Sequence, residues 1–125
     1  MTKAQVNRRL ANYLRTHRRN AGLTQPELGH ILGHCNEGPV LRHERFQATP
    51  SLVVALGYEI IFRAPVSEIF AGLRDEVEEH VEERLAAFEN DLQQRSAKGR
   101  NADAIARKLT WLSGRRIFWG NESRE

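Results

Sequence analysis

Two stretches, LTQPELGHILG (Leu23–Gly33) and VLRHER (Val40–Arg45), decide how this chain folds. Thr24-Gln25-Pro26-Glu27 opens the first stretch. A Thr followed three residues later by Glu is a capping box, in which each residue's side chain satisfies a free N–H of the other. The proline falls in the first turn, where its missing N–H does least harm. A helix is therefore expected from Thr24. Leu28, Ile31 and Leu32 give it a buried face, and Gly33 ends it, because glycine accepts the left-handed conformation that stops a helix. That helix spans about two turns. After a short connection, Asn36 is suited to cap a further helix through Pro39, Val40, Leu41, Arg42, His43 and Glu44.

The pattern stays helical on either side. Upstream, Val6, Leu10, Tyr13 and Leu14 recur at helical steps and mark one face of a helix ending near Ala21-Gly22, with Arg8, Arg15 and Arg19 on other faces. Downstream, Pro50-Ser51 introduces the apolar stretch Leu52 to Phe62, and Pro65 to Phe70 reads as a short fifth helix. From Asp75 the composition changes. Val77, Val81, Leu85, Phe88 and Leu92, spaced 4, 4, 3 and 4 residues apart, form a near-heptad stripe on one long helix among acidic side chains. Ala97-Lys98-Gly99-Arg100 interrupts it, and Asn101 caps a last, short helix in which Ala102, Ile105, Leu109 and Leu112 share a face before Gly114. The expectation is an all-α protein: five helices over residues 1–73, then a long helix and a short one over residues 74–125. Two roles stand open for the stripe, an intrachain hairpin and a dimer seam.

Composition bounds the function. At 125 residues the chain holds one core, or one small domain and an appendage, which argues against a large enzyme. No apolar run approaches the ~18 residues a membrane helix requires, and no apolar core follows the basic N-terminal residues as in a signal peptide. The single Cys35 cannot form an internal disulfide. Together these lead us to expect a cytoplasmic protein with no membrane partner. Charge is uneven. Residues 1–50 carry eight Lys/Arg against three Asp/Glu, a net +5, whereas residues 72–96 carry three against eight, a net −5. A basic first half suits a polyanion, since neutralising phosphates releases counterions, and an acidic second half faces elsewhere.

The order Leu23-Thr-Gln-Pro-Glu-Leu-Gly29, Leu32-Gly33, Val40 to Arg45 and Pro50-Ser51 resembles the lambda-repressor-like, or Xre/Cro-type, helix-turn-helix family over about Arg8 to Leu73. Gly29 stands where that family has a small residue at the helix crossing. His43 stands at a usually apolar core position, and Phe46 where glycine often closes the helix. The resemblance implies a sequence-specific double-stranded DNA-binding regulator, a repressor, prokaryotic or phage-encoded and nucleoid-associated. In that family the third helix lies in the major groove. By position, Gln25 becomes a phosphate contact. Asn36, Glu37, Gly38, Leu41 and Arg42 become base-reading positions, with Arg42 able to donate twice to guanine, Asn36 to pair with adenine and Glu37 to accept from cytosine. Arg45, Gln47 and Thr49, beyond the reading helix, would meet phosphates and set register. Arg18 and Glu44 correspond to a structural pair that pins the reading helix. A homodimer would place two heads on half-sites ~34 Å apart.

Other readings carry less. His30 and His34 are four residues apart with Cys35 and His43 nearby, but Gly33 ends the helix between the first two and no paired Cys motif exists, so no metal or other cofactor is expected. There is no glycine-rich phosphate loop after a strand, no nucleophile elbow and no isolated carboxylate pair, so no catalysis is expected. The rival is a protein-interaction module, an antitoxin or anti-regulator that works through the C-terminal helices. Trp111, Phe118 and Trp119 with Arg115 and Arg116 make the C-terminus basic and aromatic, able to touch DNA or a partner, with Trp111 expected to pack on the long helix and the residues after Phe118 to fray.

Overall fold

The computed structural model describes residues 12–95 and 101–123, with side chains described as far as Arg115. Among the described residues the protein is all-α: α1 (Leu14–Asn20), α2 (Gln25–Ile31), α3 (Gly38–Glu44), α4 (Leu52–Phe62), α5 (Val66–Ile69), α6 (Ala71–Gln94) and α7 (Ala102–Ser123). Val6, Leu10 and Arg8, read as part of the first helix, lie outside the described residues, as do the interruption at 97–100 and the side chains of Arg116, Phe118 and Trp119. The chain divides into two compact units, 1–78 and 79–125, with α6 running through the boundary.

Local chemistry sets the helix ends of the first unit. The Thr24 hydroxyl accepts the Glu27 N–H at 3.2 Å while the Glu27 carboxylate accepts the Thr24 N–H at 2.9 Å, closing the capping box. Gly33 takes φ 85°, the left-handed region that glycine enters without steric cost, and its N–H reaches the His30 carbonyl. The Ser51 hydroxyl caps α4 by accepting the Val54 N–H. Phe46 adopts φ 57° just past α3, a conformation costly for a side chain with a Cβ. Its ring meets Phe70 edge-on at 6.2 Å, so packing holds the turn where a glycine would need none.

The core of this unit gathers one residue from each of α1 to α5 (Leu14, Leu28, Val40, Tyr58 and Ile69), with Ala64 and Phe70 from the connections that flank α5. Each fully buried Leu or Ile contributes about 1.5–3 kcal/mol relative to exposure. The ends of the unit are tied together by backbone, since the Tyr13 N–H donates to the Ile69 carbonyl at 2.8 Å. Asn12 adds a second tie. Its amide nitrogen donates to the carbonyls of His43 (2.9 Å) and Glu44 (3.3 Å), while its oxygen accepts the Leu14 N–H. One side chain thus satisfies the last carbonyls of α3 and the first donor of α1.

The second unit is a hairpin of α6 and α7. Leu92 meets Ile105 and Leu112 in a small core, with Leu85 and Leu109 packed against it. Arg115 closes the far end on Glu82 at 2.5 Å. Two sequence expectations are corrected here. The last helix is long rather than short and does not stop before Gly114, because nothing crowds that position and one helical glycine costs only about 1 kcal/mol. Trp111 is 54 % exposed instead of being packed on the long helix, since it lies off the face that carries Ile105 and Leu112.

Candidate nucleic-acid interface

The α2–turn–α3 segment is built on one close approach. A Cβ added at the buried Gly29 would lie 2.9 Å from the Asn36 carbonyl oxygen, so the backbone leading into α3 passes where any other side chain would stand. The His34 N–H donates to the Gly29 carbonyl at 2.8 Å and fixes that approach. The turn between the helices is therefore rigid, and α3 has a defined direction relative to α2.

α3 is anchored from beneath by three side chains. Val40 is fully buried. His43, 7 % exposed, bonds through Nδ1 to the Tyr58 hydroxyl at 2.8 Å, ring edge to ring face. Burial holds the His43 imidazole below its ordinary pKa, with His34 and Arg42 adding positive charge in the same sense. The Tyr58 phenol is pushed up, first by burial and then by Glu44. Glu44 is the third anchor. Its carboxylate accepts from Arg18 Nε at 2.6 Å and Nη2 at 3.2 Å, and from Gln25 Nε2 at 3.1 Å, while Arg18 Nη1 donates to the Leu23 carbonyl. The side chains of the pair are only 11 % and 4 % exposed, so α1, α2 and α3 meet at one desolvated ion pair.

With Val40, His43 and Glu44 turned inward, the opposite face of α3 presents Gly38, Leu41, Arg42 and Arg45. Arg42 and Arg45 are exposed and Leu41 is half-buried. The Arg42 guanidinium lies back over Gly38, where an added Cβ would stand 3.1 Å from Nη1. Asn36 is exposed but does not occupy the helix cap. Glu37 holds that position without a side-chain bond, and Asn36 Oδ1 accepts the Gly38 N–H at 2.8 Å, because the helix begins at Gly38, one residue later than a cap at Asn36 implies. Gln47 and Thr49 are exposed beyond α3, with the Gln47 N–H bonded to the Arg42 carbonyl.

Beside this face is a cleft of about 500 Å³ whose walls include Arg15, Thr24, Gln25, Leu41 and Arg45. Gln25 lines it and donates from Nε2 to the Glu44 carboxylate. Arg15 and Arg45 stand exposed at its rim, one from α1 and one from the end of α3. Two cationic side chains from different elements, with a third on the outward face of α3, form a positively charged surface suited to anionic groups. Arg15 carried no site role in the sequence, and neither did the Asn12 tie or Tyr58. Only the period of α1 pointed to Arg15, as an off-core arginine.

The five stripe residues separate. Leu85 and Leu92 belong to the hairpin core, whereas Val77, Val81 and Phe88 remain 51, 40 and 37 % exposed. Cys35 is exposed and unbonded. Among the described residues no group of three or more His, Cys, Asp or Glu is placed to hold a metal, and no helix is long and apolar enough to cross a membrane. No family model, curated protein or solved structure matches this chain.

Proposed function

We propose that this protein binds double-stranded DNA, reading the major groove with the outward face of α3. More particularly, we propose a helix-turn-helix regulator of the lambda-repressor-like type, with five helices over the first unit, that represses by occupying its site. The observation that carries the reading is the Gly29–Asn36 approach, which locks a short helix, a tight turn and a second helix into one rigid element with Arg42 and Arg45 on its outer side. A helix held this way can enter a groove without paying for its own ordering. The chemistry of the face agrees with that use. Arg42 offers the bidentate donor set for guanine, Leu41 an apolar contact for a thymine methyl, and Arg15 and Arg45 flank them as phosphate partners. Gln25 Nε2, which donates to Glu44, carries a second N–H that can serve a phosphate.

The test is selection from a random duplex library with the full chain, followed by anisotropy titration of the selected and a scrambled duplex at two salt concentrations. A selected sequence bound about 10³-fold tighter than the scrambled one, with affinity falling as salt rises, supports the reading. Equal, salt-insensitive signals on both duplexes refute it.

A further inference from the structure

α3 is a helix of seven residues, Gly38–Glu44, and Arg42 stands one full turn after its start. In a helix that reads a groove, the side chains at the N-terminal end meet the base edges. Arg42 reaches that end only if its side chain runs back along the helix, and it does. Helical side chains lean toward the N-terminus and residues four apart share a face, so the Arg42 guanidinium lies over Gly38. A Cβ built at Gly38 would stand 3.1 Å from Arg42 Nη1 and 3.6 Å from Nη2. The same Cβ would meet Asn36 Oδ1 at 2.8 Å, an oxygen held in place by the Gly38 N–H. The space over Gly38 thus has the guanidinium and the Asn36 turn as its walls, and it closes to both if residue 38 carries a side chain.

We propose that Gly38 is a positioning residue for base reading: having no side chain, it lets the Arg42 guanidinium lie at the start of α3, where its paired donors read guanine. That role rests on the DNA-binding reading of α3 and names the base at one position. Gly38 does not take a positive φ, unlike Gly22 and Gly33, so its own conformation does not call for glycine. Glycine also weakens a helix this short. It has one backbone advantage here, because a Cβ before Pro39 disfavours the helical region. That advantage is independent of Arg42, so the two roles separate by experiment. A guanidinium over Gly38 can present two N–H groups together to O6 and N7 of one guanine. Displaced by a Cβ, it keeps its charge and loses that placement, which leaves sequence-independent attraction to phosphate.

The test is a double-substitution cycle in the full chain, read by anisotropy on a duplex selected from a random library, on that duplex with each G·C pair replaced in turn, and on a scrambled duplex. Gly38→Ala and Arg42→Ala are each expected to weaken the selected duplex about tenfold and to lose preference at the same G·C pair, and the two together should be no weaker than either alone. On the scrambled duplex Gly38→Ala should stay within about twofold of the unaltered chain, since the charge of Arg42 remains. Adding Pro39→Ala lifts the restriction before proline and should leave the Gly38→Ala loss in place. The loss should also persist with Asn36→Ala, where only the guanidinium is left for the Cβ to displace. Absence of any loss, an equal loss with Arg42 present and with Arg42→Ala, a loss at a different base pair, or one abolished by Asn36→Ala or Pro39→Ala overturns the role of Gly38 and leaves the DNA-binding reading standing. If the unaltered chain selects no duplex, both fall together.

Discussion

Substituting Arg18 by Met removes three hydrogen bonds at once, two of them to the Glu44 carboxylate and one to the Leu23 carbonyl. Met fills much of the space of the aliphatic stem, so the loss is electrostatic. Glu44, 4 % exposed, keeps only the Gln25 amide at 3.1 Å. Stranding one member of a buried pair costs about 3–5 kcal/mol, against a total of about 5–15 for a typical domain. For a unit of this size the urea slope is about 1 kcal/mol/M, so the unfolding midpoint followed by circular dichroism in the cold should fall by about 3 M or more. Arg18→Met with Glu44→Leu removes both charges and should cost no more than about 2 kcal/mol, the remainder being the unmet Leu23 carbonyl and Gln25 amide. The double variant is thus expected to be more stable than the Arg18→Met single. Simple additivity of the two single substitutions would refute the reasoning, because it would mean a solvated pair worth under about 1 kcal/mol.

Three further outcomes are expected. Gly29→Ala sets overpacking of about 1–3 kcal/mol against a helix-propensity gain of about 1, whereas Gly114→Ala, with open space around it, has only the gain; urea midpoints should therefore rise for Gly114→Ala and not for Gly29→Ala. The folded state lowers the His43 pKa from 6.5, so it disfavours the proton: this contribution to stability is complete above pH 6.5 and is lost as pH falls from there to the folded-state value. Urea titrations across that window should show a decline that shrinks in His43→Leu with Tyr58→Phe, the difference isolating this imidazole from the other four. Arg42→Ala should weaken a selected duplex by about 1–3 kcal/mol and a scrambled duplex far less in anisotropy titrations, and equal loss on both would remove Arg42 from base reading.

What could be read in the sequence follows the range of the interactions. The Thr24–Glu27 box, the Ser51 cap and the Gly33 stop are decided within three or four residues, so residue types alone announce them. The Asn12 tie spans 31 and 32 residues and the His43–Tyr58 bond spans 15, and neither leaves a local signature. A histidine in place of an apolar core residue was visible, but its hydroxyl partner depends on how α4 crosses beneath α3. The stripe on α6 shows the same limit more sharply. At 100° per residue, Val77, Phe88 and Val81 fall within a 40° arc, and Leu92 and Leu85 continue it by another 40°. A near-heptad pattern treats the whole arc as one seam, yet α7 covers only its Leu85–Leu92 edge. Which part of an amphipathic arc is buried is set by the partner's position, and periodicity does not contain that position. The same holds for α4, an apolar stretch in the sequence, of which the unit's own packing buries Ala55 and Tyr58 and leaves the Leu52–Leu56–Ile60 row exposed.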